Sequence, residues 1–291
     1  MRIGIHTSIA GSLERAALKA VELGANTFQI FSSSPRQWKA PPLSQPAIQL
    51  FRRARQRHDL RPLAIHGNYL INLAAANEGV RAHSVQAFRG EIERAVAIGA
   101  EFLVVHPGNY RGVSIEQGVL HFLQGAGKAA QNLNRGSLKL LIENTAGAGA
   151  QLGSRLEELH AIRQFADQFT DLPIGFCLDT CHLLAAGYDI ATGRGLEQTV
   201  REIDRWLGLE NVPVIHANDS KTPLASHVDR HENIGEGYIG VDGFRRILAH
   251  PGLRDKAFIL ETPMEKGRDL RNLNALKSLC RNAPTIITKS S

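Results

Sequence analysis

The sequence predicts an α/β fold, a single closed (β/α)8 TIM barrel, from three observations. Eight short β-rich apolar runs recur along the chain, stretches of helical composition alternate with them, and no Gly-Ser or Pro-rich linker divides the series. The runs are 2–6, 27–31, 63–66, 102–106, 138–143, 174–179, 214–217 and 258–262. Between them, 13–23, 85–98 and 115–133 carry apolar residues near helical spacing, and Gly24 and Gly99 follow the first two. Eight such units in 291 residues suit one barrel, which typically needs about 250, so one domain is expected over 1–291. A doubly wound open sheet would usually place a Gly-rich phosphate loop after its first strand, but Gly4-Ile5-His6-Thr7-Ser8-Ile9-Ala10-Gly11 lacks the G-x-G-x-x-G spacing. Two inserts interrupt the rhythm: 32–43, with Pro35-Arg36-Gln37-Trp38, and 218–243, with His227-Val228-Asp229-Arg230-His231. Both follow strands, which assigns them to the C-terminal face, where barrel loops carry function. The polar tail at 288–291 is expected to fray.

Composition removes several function classes. With 43% apolar and 21% charged residues the chain buries a core, so disorder and collagen-like architectures are excluded. Its apolar runs fall far short of the roughly 20 residues that span a bilayer, and Met1-Arg2-Ile3-Gly4 begins no signal-peptide core, so the expectation is a cytoplasmic protein without membrane insertion. Cys177, Cys181 and Cys280 are too few, and odd in number, for a disulfide framework. The net charge of +6 permits a polyanionic partner without identifying one. Aromatic residues at 6% argue against a base-stacking platform, so a nucleic acid would be gripped through its backbone. No obligate protein partner is evident.

The chemistry gathers at the strand ends. His66, His106, Glu143, Asp179, His216 and Glu261 close the third to eighth units, at separations of 40, 37, 36, 37 and 45 residues. Each is a metal-ligand type, and barrel closure brings strand ends remote in sequence into one ring. In Asp179-Thr180-Cys181-His182 the following turn carries His182 back beside Asp179. In the second insert, alternate side chains of an extended segment point the same way, so Asp229 and His231 can chelate one ion, and His227 can join them geometrically. Nine ligands exceed one tetrahedral ion and suffice for two or three if a carboxylate bridges. Mixed imidazole and carboxylate ligation suits Zn2+, and also Mn2+ or Fe2+. Cys177 and Cys181 are read as buried apolar thiols rather than ligands. His6 is open between a supporting, a DNA-facing and a structural role, while His58, His83, His121, His160 and His250 fall in helices or turns away from the ring.

At these residues the sequence resembles the endonuclease IV family of zinc-dependent apurinic/apyrimidinic endonucleases, over essentially the whole chain. The resemblance rests on Gly4-Ile5-His6-Thr7-Ser8, Pro35-Arg36-Gln37-Trp38, His66-Gly67-Asn68-Tyr69-Leu70-Ile71-Asn72-Leu73, His106-Pro107-Gly108 and Ile142-Glu143-Asn144-Thr145-Ala146-Gly147. It continues in Leu178-Asp179-Thr180-Cys181-His182, His216-Ala217-Asn218-Asp219-Ser220, Val228-Asp229-Arg230-His231, Gly235-Glu236-Gly237-Tyr238-Ile239-Gly240 and Leu260-Glu261-Thr262. Ser12 replaces a frequent second Gly, and Gly67-Asn68 is a variable pair.

The resemblance implies a trinuclear zinc site that cuts duplex DNA 5′ to an abasic residue, leaving a 3′-hydroxyl and a 5′-deoxyribose phosphate, and that also clears blocked 3′ ends. It implies that His66, His106 and Glu143 hold one ion, that Glu143, Asp179, His216 and Glu261 hold a second, and that His182, Asp229 and His231 hold the third. Glu143 is then the bridging carboxylate, and Glu261 both a ligand and the group that orients a hydroxide formed from a shared water. Arg36, Gln37, Tyr69 and Leu70 resemble residues that enter the duplex at the lesion, and Lys221 and Arg230 are candidate phosphate contacts. The rival is a sugar isomerase or epimerase on the same kind of barrel, which has no use for the third ligand set or for the Arg36 to Trp38 loop.

Overall fold

The computed structural model describes residues 1–263 and 267–281; the tail at 288–291 lies outside them. Its strands are β1 (Arg2–His6), β2 (Thr27–Phe31), β3 (Leu63–His66), β4 (Phe102–Val105), β5 (Lys139–Glu143), β6 (Ile174–Asp179), β7 (Val214–His216), β8 (Asp219–Ser220), β9 (His231–Glu232) and β10 (Ala257–Leu260). Eight of them close a parallel barrel in the order β1-β10-β7-β6-β5-β4-β3-β2, and β8 and β9 form a separate antiparallel pair. Helices α1 (Leu13–Glu22), α2 (Gln45–Arg57), α3 (Glu78–Ile98), α4 (Ile115–Ala130), α5 (Leu156–Ala166), α6 (Thr180–Ala186), α7 (Gly193–Leu207), α8 (Gly240–Ala249) and α9 (Arg268–Arg281) occur between and after them. Among the described residues no helix is long and apolar enough to cross a membrane.

The core has two layers because strand side chains alternate between the helices and the barrel axis. The outer layer, with Phe28, Phe51, Phe88, Phe122 and Phe244, cements strands to helices, each fully buried ring contributing about 1.5–3 kcal/mol. The inner layer is Ala64, Val104, Leu141, Cys177, Val214, Ala257 and Ile259. Two residues after Ala64, Val104, Leu141, Cys177, Val214 and Ile259 stand His66, His106, Glu143, Asp179, His216 and Glu261. The period of two therefore floors the ring of candidate ligands with an apolar plug.

Several boundaries differ from expectation, for local reasons. β4 stops at Val105, since Pro107 has no N–H to extend a ladder beyond His106. β10 stops at Leu260 because the Glu261 N–H leaves the sheet to donate to Asn218 Oδ1 at 2.8 Å. α3 starts at Glu78, well before 85: Asn77 caps it by accepting from Val80 N at 3.0 Å, and its polar first turns carry no apolar period. α4 ends at Ala130, short of 133, where Asn132 takes a positive φ of 59°. The end of the second insert is helical from Gly240. Ser12, in place of a glycine, caps α1 by accepting from Arg15 N.

Candidate metal centre

Three local devices put the nine side chains over the plug. Asp179 ends β6 and also caps α6, its Oδ1 accepting from His182 N at 2.9 Å, which aims the first turn of α6 at the barrel mouth. The β8–β9 pair returns the chain across the mouth, with Ser220 opposite His231, and delivers Asp229 and His231. That return is organised by Asp219, whose buried carboxylate accepts from the N–H groups of Ser220, Gly235, Gly237, Ile239 and Gly240 at 2.8 to 3.2 Å. A Cβ at Gly237 would lie 2.4 Å from Ser220 O, so the approach requires glycine. After His106, Gly108 turns with φ of +111° and brings Asn109 under Asn72, whose Oδ1 accepts from Asn109 N at 2.9 Å.

The side chains fall into groups whose ligand atoms lie within 4.8 Å of one another: His66, His106 and Glu143; Glu143, Asp179, His216 and Glu261; and His182, Asp229 and His231. Glu143 belongs to two of them. His66 Nε2 and His106 Nε2 face Glu143 Oε2 at 3.1 and 3.6 Å, while His216 Nδ1 faces Glu143 Oε1 at 3.0 Å and Glu261 Oε2 at 3.1 Å. His182 Nε2 and His231 Nε2 flank Asp229 at 3.2 and 3.4 Å, and His231 Nε2 is 3.5 Å from Asp179 Oδ2. Ligand atoms on a tetrahedral ion with bonds of about 2.0–2.1 Å are roughly 3.3 Å apart, so these separations match shared coordination.

The far ring nitrogens are already engaged. Nδ1 of His66, His182 and His231 lies 2.8, 2.9 and 3.0 Å from the carbonyl oxygens of Gly67, Asn144 and Glu261. A carbonyl only accepts, so each Nδ1 carries a proton and Nε2 is the atom turned inward to ligate a cation, the arrangement of metal-bound histidines. The Nε2 atoms of His182 and His231 are buried without a hydrogen-bond partner. Two buried ring nitrogens without hydrogen-bond partners beside a carboxylate fit a divalent cation, and the nine-residue set supplies the donors.

The field is likewise one that holds positive charge. Burial pushes the Glu143 carboxyl up, but His106, His216 and His66 outweigh it and hold it well below the usual carboxylate range. Glu261 follows the same pattern, burial opposed by His216, His6 and His66, with the latter group prevailing. Burial lowers His182, yet Asp179, Asp229 and Glu143 raise it to about 10. At His106 burial outweighs the pull of Glu143 and lowers the imidazole.

The remaining sequence candidates separate. Tyr69 is 62% exposed, its ring 5.0 Å edge-on from Phe31 and 6.0 Å from that of His66, so it stands between ligands and solvent. Arg36 and Gln37 are on the 32–43 loop, which is tied to the 68–70 turn by Tyr69 N donating to Pro35 O at 3.2 Å. Asn68, one of the variable pair, completes the tie: its amide donates to Gln37 O and its Oδ1 accepts from Leu70 N. Lys221 and Arg230 are neighbours just beyond the β8–β9 pair, joined by Lys221 N donating to Arg230 O at 2.9 Å, with Lys221 3.6 Å from Glu232. His227 is outside all the groups, its Nδ1 3.3 Å from Ala146 O. His6 Nδ1 is 3.5 Å from Glu261 Oε1, which places it against the centre. Cys177 lies in the apolar plug with its thiol pushed up to about 12 by burial. Cys181, within ligand distance of Asp179 and His231, donates to Arg230 O, and burial pushes it to about 12 as well.

Sequence reasoning missed the side chains that hold the ligands. Asn218 donates to Asp179 Oδ2 at 2.6 Å while its Oδ1 fixes Glu261 N; Asn144 Oδ1 accepts from Asp179 N at 2.7 Å. Both directly follow a ligand-bearing segment, which is the signal that was available.

The chain has relatives among known proteins. Residues 17–281 match the family model for the xylose isomerase-like TIM barrel. A protein of Solibacter usitatus named probable endonuclease 4 is 59% identical over 96% of this chain and 97% of its own length. The crystal structure of endonuclease IV from Thermus thermophilus superposes with a TM-score of 0.86 at 38% identity, covering 97% of this chain and 100% of that one. A D-tagatose 3-epimerase-like protein, at 21% identity and a TM-score of 0.70 over 97% of each chain, shares the fold alone.

Proposed function

The chain belongs to the endonuclease IV family, and from that premise we propose that it hydrolyses the phosphodiester 5′ to abasic sites in duplex DNA, using three zinc ions held by His66, His106, Glu143, Asp179, His182, His216, Asp229, His231 and Glu261. It is a nuclease with a role in DNA repair and a metal cofactor; the number and identity of the ions, the abasic specificity, the trimming of blocked 3′ ends and the residue roles are the proposal. The observation that carries it is the sharing of Glu143 between two ligand groups, with a third group beside them. A site with one ion has no use for that sharing.

Bound divalent ions would supply Lewis-acid chemistry, acidifying a water and stabilising charge on the phosphate and the leaving 3′-oxygen. The chain's residues do the rest. Glu261 keeps one oxygen turned to His216 and stays ionised, ready to orient the attacking water. Tyr69 and Leu70, with Arg36 and Gln37 on the tied loop, form the wedge that fills the gap left by the missing base. A cavity beside Glu261, bounded by His6, Phe31, Tyr69 and His231, gives the substrate a place next to the ligands. Lys221 and Arg230 contact phosphate, which fixes register without reading sequence.

Purified, metal-replete protein incubated with duplexes that differ only in one abasic residue tests this. The expected result is incision 5′ to that residue, a 3′-hydroxyl end and three ions per chain by elemental analysis. Equal cutting of both duplexes, or full activity with one ion, would overturn it.

A further inference from the structure

Three of the centre's histidines have their tautomer set by a main-chain carbonyl, whereas His216 has it set by a side chain. That side chain is Gln29, fully buried on β2 and paired in register with His6. Its Nε2 donates to Glu261 Oε1 at 2.5 Å, and its Oε1 lies 3.0 Å from His216 Nε2. An ionised carboxylate only accepts, so the amide nitrogen must face Glu261 and the amide oxygen must face His216. The oxygen in turn only accepts, so His216 carries its proton on Nε2. Nδ1 is then the atom placed to ligate a cation, and it faces both Glu143 Oε1 and Glu261 Oε2. The second amide hydrogen has an acceptor in His6 Nδ1 at 3.2 Å, so each part of the amide is satisfied.

We propose that Gln29 is a positioning residue for one ion of the centre, its amide locking the Nε2–H tautomer of His216 and the orientation of the Glu261 carboxylate so that both offer lone pairs to the same cation. This rests on the metal-site reading above and deepens it. It concerns the ion shared by Glu143, Asp179, His216 and Glu261; in the other two groups His66, His182 and His231 take their orientation from main-chain carbonyls and not from Gln29.

The test uses the full chain. In metal-replete wild-type protein labelled with ¹⁵N-histidine, long-range proton-nitrogen correlation is expected to show His216 protonated at Nε2 and not at Nδ1. The reverse tautomer would overturn the proposal whatever any variant does. Gln29→Met keeps nearly the same shape without hydrogen-bonding groups. In a chelator competition followed by elemental analysis, one ion of the three is expected to become about 10- to 100-fold easier to remove, the scale of losing an outer partner of a metal-bound histidine. Cobalt-substituted protein is expected to change its visible spectrum for that ion alone, while the other two keep their wild-type resistance. Gln29→Met protein that keeps all its ions with wild-type resistance, or loses all of them together, would overturn the positioning role. Wild-type protein that binds no metal would instead overturn the metal-site reading, and this proposal with it.

Discussion

Ligands on the barrel strands and ligands on the structure above them are held by different means. Glu143, Asp179 and His216 are fully enclosed, each two residues above an inner-core side chain whose position the closed sheet dictates. Asp229 is about half exposed, on a segment whose course depends on a two-residue strand pair and on the Asp219 carboxylate beneath it. The centre therefore has a rigid floor and a more easily opened roof: opening the floor disrupts the barrel, while opening the roof breaks a few hydrogen bonds.

Breaking the floor is expected to have the largest effect. Glu261→Gln nearly preserves shape while removing charge, and single-turnover cleavage is expected to fall on the order of 10²-fold or more, with abasic-DNA binding retained. Metal content is measured in parallel, and near-native cleavage by a metal-replete variant would exclude Glu261 from orienting the water. On the roof, Asp229→Ala is expected to cost one ion and leave two. In wild-type protein the same ion is expected to leave first during chelation, with retention at least about tenfold weaker than the ions on the strand ends, the lower end of the scale for perturbing a metal site. Simultaneous release of all ions would erase the distinction between floor and roof.

Farther from the ions, Tyr69→Ala or Leu70→Ala is expected to weaken preference for abasic over intact duplex on the order of tenfold, comparable to one lost base-aromatic stacking contact. Metal content is expected to be unchanged. Loss of metal with unchanged preference in Leu70→Ala would make that residue a packing element of the 68–70 turn.

Proton linkage probes the same contrast in metal-free protein. His182, raised to about 10 against an ordinary value of 6.5, binds its proton more tightly folded than unfolded. Its contribution to stability is therefore complete below about pH 6.5 and lost as pH rises through about 10. The gap in urea midpoint between chelated wild type and His182→Asn is expected to close across that window, and a gap that stays constant would contradict the assignment. The smallest effect is expected at the rim, where Lys221→Ala or Arg230→Ala should each reduce the salt dependence of DNA binding by about one counterion, with little change in cleavage at saturation. An unchanged salt slope would remove that residue from the DNA contact.

The strand-helix rhythm, the barrel and the ring of strand-end residues were all legible in the chain, because the repeat length of a β/α unit and the alternation along a strand are local properties that closure turns into a circle. Asp179 and His182 were readable as a pair for the same reason, since three residues separate them in chain and one helical turn joins them in space. How the ring is tuned was settled instead by contacts that no local pattern encodes. Glu143 meets His66 with one oxygen and His216 with the other, Asn218 joins Asp179 to Glu261, and Gln29 reaches Glu261 across 232 residues of sequence. These contacts depend on register between strands that the chain visits far apart, above all on the β1–β2 and β1–β10 pairings that close the barrel. A hydrogen bond is directional over a few tenths of an ångström, and local periodicity carries no information at that precision.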